Sequence, residues 1–226
     1  MKKITSLLLF LLLCNSLFSQ KQTSYYIGIG INAIQPKPLF LNYPTSLRYG
    51  ENAEREKASS LVSPSFELGL KSDYKYFSFQ LTYQLNFLNY VIHPITSPDY
   101  RAIDTRISYL SHNLNIVPNL RVNNFDLGLG PQIQYLSKPK IKSNGQESHN
   151  IKDNHKTSIG LIFQVSYNLS IRERTFILGY QYTMYYSVKT PIEIELLYNN
   201  DFENFQYRHV PDFNTHNLRL AYVFKK

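Results

Sequence analysis

A chain of 226 residues with a formal charge of +8 holds one domain of moderate size, and its mean hydropathy of −0.31 is too polar for a bundle of membrane helices. Cys14 is the sole cysteine, which excludes a disulfide framework and a cysteine-ligated zinc site.

The chain begins with the basic stretch Met1-Lys2-Lys3, an apolar run from Leu7 to Leu13, and an exit through Leu17-Phe18-Ser19-Gln20. That layout predicts a secretory signal peptide over 1–19, cleaved after Ser19, because the apolar run is too short to remain as a membrane span. Residues 20–226 are then the mature domain. A lipoprotein anchor at Cys14 is disfavoured by the bulky Leu12-Leu13 before it.

Period-two alternation governs the rest of the chain. Tyr25, Ile27, Ile29 and Ile31 oppose Tyr26, Gly28, Gly30 and Asn32. Val62 to Leu70 repeats the pattern with Ser63, Ser65, Glu67, Gly69 and Lys71 on the other face. The clearest case is Phe77, Phe79, Leu81, Tyr83, Leu85 and Phe87 against Ser78, Gln80, Thr82, Gln84 and Asn86. A less regular segment runs from Ile107 to Leu120, followed by Phe125 to Tyr135, Ile159 to Leu169, Phe176 to Tyr186, and Leu218 to Phe224. Connections alternate in length. Those at 34–61, 89–104, 138–155 and 189–213 are long, while those near Ser72–Lys75, Val122–Asn124 and Ser170–Glu173 are short.

These features predict an all-β fold: an eight-stranded antiparallel up-and-down transmembrane β-barrel, with short turns and both termini in the periplasm and long loops outside. A soluble β-sandwich would also alternate, but its strands average about 5–6 residues and its polar faces carry Lys and Glu. Here the polar faces are mostly Gly, Ser, Thr, Gln and Asn, which suit a crowded interior where each group must find a hydrogen-bonding neighbour. Tyr and Phe at the strand ends supply aromatic girdles. A closed barrel is also the only sheet that lipid permits, since lipid offers the backbone no hydrogen-bond partner.

Tyr109-Leu110-Ser111-His112-Asn113-Leu114, followed after a turn by Phe125-Asp126-Leu127-Gly128-Leu129-Gly130-Pro131, resembles the PorT-like outer-membrane β-barrels of the Bacteroidetes. Their pattern is Tyr-Leu-Glu-Ile-Pro-Leu, a hairpin turn, then a strand containing Gly-Pro; here His112 stands at the apolar position and Asn113 at the proline. The resemblance implies an eight-stranded, OmpA-like barrel. The family's named member takes part in gingipain (type IX) secretion, and no catalytic residue is implied.

Three charged residues, Glu67, Asp126 and Arg219, fall on inward faces and are expected to form one cluster in the lumen, paired to offset their desolvation. Lys71 is expected to be solvated near the periplasmic rim. His112 faces lipid by alternation, unless a bulge near Ser111 turns it inward. Lys138, Lys140, Lys142, Lys152 and Lys156 make the third long loop basic, fit to hold lipopolysaccharide phosphates. His149, Asp153 and His155 in that loop give only a weak metal signal. The fourth long loop interleaves Glu193 and Glu195 with Tyr198, Phe202, Phe205 and Tyr207, a mix suited to a protein partner or to strands extending above the membrane.

No cofactor, metal or catalytic residue is expected. A palmitoyl transferase of this size needs an apolar lumen, outer-membrane proteases and phospholipases need more strands, and no nucleophile motif occurs. Eight strands leave no wide aqueous channel. Export removes nucleic acid as a partner. What remains is a monomeric structural or interaction component, with an envelope or secretion protein as partner, or alternatively a small channel or binder for a surface glycan or small solute. On this reading Leu81→Arg is costly, whereas Gln80→Arg on the lumen face is mild.

Overall fold

The computed structural model describes residues 22–35, 57–93, 105–137, 140–143, 146–147, 156–186, 192–196, 205–209 and 214–224. The expected leader at 1–19 lies outside them. Thirteen strands lie among the described residues: β1 (Gln22–Gln35), β2 (Lys57–Leu61), β3 (Ser63–Asp73), β4 (Phe77–His93), β5 (Thr105–Val122), β6 (Phe125–Leu136), β7 (Lys140–Ser143), β8 (Gln146–Glu147), β9 (Lys156–Ile171), β10 (Arg174–Tyr186), β11 (Ile192–Leu196), β12 (Phe205–His209) and β13 (Asn214–Phe224).

Eight of them close a ring in the order β1-β3-β4-β5-β6-β9-β10-β13, each antiparallel to its neighbours, with β1 returning to β13. Following the pairing around that ring gives the stagger. Gln22 leads to Asp73, Ser78, Asn119, Gly128, Gln164, Gln181, Asn217 and back to β1 at Asn32, a shift of 10 residues. Ten residues of shear over eight strands set a tilt of about 40°, from a rise of ~3.4 Å per residue and ~4.8 Å between strands. The ten steps from Phe125 to Tyr135 on β6 then climb roughly 25 Å, the height of the apolar band on a transmembrane barrel.

Outside, Ile27, Ile29, Phe66, Leu68, Leu129, Ile133, Leu178 and Leu220 are exposed. Inside, Ser65, Gln80, Thr82, Gln84, Asn113, Asn115, Gln132, Gln164, Gln181 and Asn217 are buried. A water-soluble protein has this arrangement the other way round; a barrel in lipid requires it.

Two short turns are tight. Asn123-Asn124 joins β5 to β6 and Arg172-Glu173 joins β9 to β10, with φ of 56° at Asn123 and 55° at Arg172. Asparagine tolerates that left-handed region well; arginine accepts it at some cost. The first short turn occupies 74–76, a little after its expected place, and the stacked rings of Tyr74 and Phe77 (4.4 Å) close it.

The long connections carry strands that alternation did not reveal. β2 continues β3 upward, pairing Leu61 with Asn89, whereas below it Ser65 pairs with Asn86. Four residues on one strand thus span three on the other, a bulge at Val62–Pro64 placed where proline has no N–H to give. β7 pairs with the upper part of β5 and β8 with β7, so the wall rises beyond the lipid band on this side. β11 and β12 form a separate hairpin. Between Asn115–Gln132 and Asn119–Gly128 the β5–β6 ladder is interrupted, where Pro118 and Pro131 supply no N–H.

Candidate functional site

The interior is built in layers, because the stagger spreads each strand's inward residues over the full height of the barrel. At the short-turn end lies an ionic layer. Lys71 Nζ bonds Asp126 at 2.8 Å and Asp73 at 3.5 Å, and donates to Asn168 Oδ1. Arg121 Nε donates to Asp126 Oδ1 at 3.0 Å, and its Nη2 pairs with Asp73. Asn168 Nδ2 adds a bond of 2.9 Å to Asp126 Oδ2. Two cations thus face two carboxylates, each with more than one partner, as buried charge requires.

The next layer centres on Arg219. Its Nη1 meets Glu67 Oε2 at 3.2 Å, and its Nη2 donates to Gln80 Oε1 at 3.0 Å and Gln164 Oε1 at 3.3 Å. Gln164 Nε2 in turn donates to Gln80 Oε1 at 3.1 Å and to Asn119. Tyr26 reaches Thr82 through its hydroxyl beside the cluster formed with Ile177, Ala221 and Val223. Two glycines make room for these long side chains. A Cβ on Gly179 would lie 2.7 Å from Arg219 Nε, and one on Gly69 would enter the Tyr26 ring.

Above them is an amide layer. Gln84 Nε2 donates to Gln181 Oε1 at 3.3 Å, Asn115 donates to Gln84 at 3.4 Å, Asn217 to Gln181 at 3.4 Å, and Ser65 to Asn217 at 3.2 Å. Higher still, toward the long connections, the lumen turns apolar with Ile34, Leu88, Tyr90, Ile107, Tyr109 and Leu136, all buried. The rings of Tyr90 and Tyr109 stack 6.3 Å apart. The interior is therefore not uniformly polar, as alternation alone implied.

β4 and β10 stand four places apart in the ring, as do β3 and β9. The Gln84–Gln181 and Lys71–Asn168 bonds therefore run straight across the barrel at two heights, and Gln80–Gln164 crosses between them. An eight-stranded interior is just wide enough for side chains to fill, and here they do so at three levels.

The three inward charges expected as one cluster are divided. Glu67 and Arg219 pair directly, but Asp126 belongs to the ionic layer below with Lys71 and Arg121. The reason is the shear: Asp126 sits on β6 at a register lower than Arg219 on β13. Lys71 is buried, with only 3% of its side chain exposed, and its ammonium is bonded rather than solvated. Arg121 and Asp73, not singled out from the sequence, complete this layer; continuing the alternation of Asn115, Val117 and Asn119 one step past Leu120 is the signal that would have turned Arg121 inward. Gln80→Arg is not the mild change expected, since Gln80 is fully buried and its carbonyl serves Arg219.

His112 faces outward with no bulge at Ser111, pairing across with Leu85 and Tyr135. Its Nδ1 meets Tyr83 Oη at 2.7 Å, which offsets the cost of a polar ring at the lipid border. A matching pair, His216 Nδ1 to Tyr180 Oη at 2.6 Å, occurs on β13, directly across the barrel at nearly the same height.

Of the basic loop, Lys140 and Lys142 lie on β7, exposed, and Lys156 opens β9; Lys138 and Lys152 lie outside the described residues, as do His149, Asp153 and His155. Of the acidic-aromatic loop, Glu193 and Glu195 lie on β11, opposite Arg208 and Gln206, while Phe205 and Tyr207 lie on β12. Tyr198 and Phe202 fall outside the described residues.

No family model and no curated protein matches the chain. Among solved structures it is similar to Ail, the attachment invasion locus protein of Yersinia pestis, in complex with the heparin analogue sucrose octasulfate, at 12% identity over 91% of this chain and 99% of that one, with a TM-score of 0.42. It is similar also to Neisserial surface protein A (11% identity, 90% and 99% covered, TM-score 0.42). A third is the outer membrane protein AlkL, seen by solid-state NMR in lipid bilayers (8% identity, 91% and 92% covered, TM-score 0.49). The assignment of this chain to the eight-stranded transmembrane β-barrels rests on its own closed register and its inverted faces.

Proposed function

We propose that the protein is a non-enzymatic outer-membrane barrel that acts as a structural or interaction component, accessory to protein secretion or surface assembly. It works through its rims and long connections rather than its lumen. The observation that carries this reading is the set of side-chain bonds crossing the lumen at three heights, which fill an eight-stranded interior with polar side chains rather than leaving it a wide channel. In this reading the termini and short turns are periplasmic and the long connections face outside, in line with the usual asymmetry of such barrels. The likeness of Tyr109–Leu114 and Phe125–Pro131 to the PorT-like barrels favours a secretion or assembly partner over a solitary role.

The test is a mild-detergent pull-down of the tagged protein from its native outer membrane, with heat-modifiable gel mobility checked on the same sample. A stoichiometric envelope protein is the expected result. Planar-bilayer recording of the purified barrel should be silent. Stable, ion-selective conductance would overturn the reading in favour of a small channel or solute binder.

A further inference from the structure

The layer at the short-turn end brings together three groups in an arrangement that goes beyond the pairing of charges. Lys71 comes from β3 and Asn168 from β9 on the opposite wall, while Asp126 stands on β6 beside Asn168. Lys71 Nζ lies 2.8 Å from Asp126 Oδ2 and 2.5 Å from Asn168 Oδ1. Asn168 Nδ2 lies 2.9 Å from that same Oδ2 and also donates to the Asn124 carbonyl at 3.1 Å. With acceptors around its nitrogen and an amine at its oxygen, the amide has only one sensible orientation. One carboxylate oxygen thus touches both the lysine nitrogen and the amide nitrogen. Arg121 Nε holds the other carboxylate oxygen at 3.0 Å, and its Nη2 comes no nearer than 3.5 Å to Oδ2.

The reacting distance follows from these contacts. The amide carbon is one C=O bond, about 1.2 Å, beyond Oδ1. For a hydrogen bond meeting the carbonyl at about 120°, Nζ stands roughly 3.3 Å from Cγ, a near-attack distance. Lys71 and Asp126 are buried, which holds bulk water off both groups.

We propose that Lys71 and Asn168 join in an intramolecular isopeptide bond, with Asp126 carrying the protons. The ammonium proton first passes to Asp126 Oδ2. That removes one charge of each sign from an enclosed site and leaves Arg121 with Asp73 as a balanced pair, so burial favours the step. The Nζ lone pair then forms the Nζ–Cγ bond as the carbonyl π pair moves onto Oδ1. Asp126 gives its proton to Nδ2 and takes one from Nζ. When the carbonyl reforms, the Cγ–Nδ2 pair leaves with the nitrogen as ammonia. An ammonium, a carboxylate and a primary amide become a secondary amide, a carboxyl group and ammonia, with no oxidant and no second molecule. Ammonia leaves by the short-turn rim, where Arg121 and Asp73 are partly open to solvent. The bond ties opposite walls together across 97 positions of sequence. It needs no protein partner and no particular orientation in the membrane, so it stands or falls separately from the function proposed above.

The test uses the full chain purified in folded form from its native outer membrane, with heat-modifiable mobility as the sign of folding. The sample is then boiled, digested with trypsin and mapped by peptide mass. Residues 58–75 and 157–172 should appear as one branched peptide, uncut after Lys71 and lighter than the two parts by one ammonia, about 17 Da. Separate peptides, one ending at Lys71 and one spanning 157–172, would overturn the proposal whatever deficit the whole chain carries. Wild type held in urea should stay unbranched and convert on refolding into detergent; branching in urea would overturn the dependence on folded geometry. Asp126→Ala should give separate peptides, and Asp126→Asn serves where that variant fails to regain the folded mobility. Branching at the wild-type level in a folded Asp126 variant would overturn the assignment of the proton carrier. Asn168→Ala should fold, remain unbranched and, after boiling, migrate differently from the looped wild-type chain; identical migration would count against the bond.

Discussion

The two charged layers of the lumen use the same chemistry in different surroundings. Around Arg219 and Glu67 the side chains are 0% and 2% exposed, and the further partners of Arg219 are the Gln80 and Gln164 amides and the Tyr26 hydroxyl, all held on other strands. In the layer at the short-turn end, Lys71 and Asp126 are as deeply enclosed, but Arg121 keeps 20% and Asp73 29% of its side chain open to solvent. The central pair has no water to fall back on. The lower layer has an inner half that resembles the centre and an outer half that resembles a surface. Removing a charge should therefore cost most at Arg219 or Glu67 and least at Asp73, and a graded series tests that ordering.

The largest effect is expected from Glu67→Ala, which leaves the Arg219 guanidinium buried among neutral amides and the Tyr26 hydroxyl. Breaking one side of a buried pair costs about 3–5 kcal/mol. Urea titration of the barrel refolded into vesicles, read by heat-modifiable mobility, measures it. The double variant Glu67→Leu with Arg219→Met should recover most of the loss, because the penalty belongs to the unpaired charge and not to the missing bond. Gln80→Arg belongs in the same tier. A second guanidinium would meet Arg219 at 3.0 Å from where the amide oxygen now accepts, and combining it with Arg219→Gln should relieve the strain.

A charge on the other side of the wall is next. Leu81→Arg places a cation on the outward face near the middle of the apolar band, where arginine costs about 2–4 kcal/mol. A cost at Leu81 together with relief of Gln80→Arg by Arg219→Gln would show two separate mechanisms on adjacent residues of one strand. Relief of both by Arg219→Gln would break the assignment of faces. Below these stands Gly179→Ala, whose methyl meets Arg219 Nε at 2.7 Å and should cost about 1–3 kcal/mol through overpacking, in the same titration.

Much of this was legible in the sequence. The alternation of Phe77 to Phe87 against Ser78 to Asn86 places every one of those side chains on its observed face, since a strand has no other way to distribute them. The turn at Asn123-Asn124 was marked by residues that accept a positive φ. What alternation lacks is height. Glu67, Asp126 and Arg219 all read as inward, but whether they meet depends on the shear, which is a property of the closed ring and not of any one strand. For the same reason Lys71 looked like a rim residue although the stagger carries Asp126 and Asn168 to its level. β2 and β7 escaped notice because Lys57-Ala58-Ser59-Ser60 and Lys140-Ile141-Lys142-Ser143 are short and polar; they are strands only because β4 and β5 outrun the membrane and offer them an edge.

The smallest effect is expected at Asp73→Asn. Asp73 bonds Arg121 and, at 3.5 Å, Lys71, but both cations keep Asp126, and the carboxylate itself is open to water on one side. Partly exposed pairs are worth about 0.2–1 kcal/mol and are screened by salt. The variant should therefore lose less than about 1 kcal/mol in the urea titration, and raising the salt concentration should shrink the difference from wild type. Asp126→Asn should cost several times more and respond little to salt, because its partners Lys71 and Arg121 would then share the single carboxylate of Asp73 with one ammonium still enclosed. If Asp73 and Asp126 proved equally costly, the lower layer would be closed to water throughout, and the contrast with the central pair would be one of position along the barrel rather than of exposure.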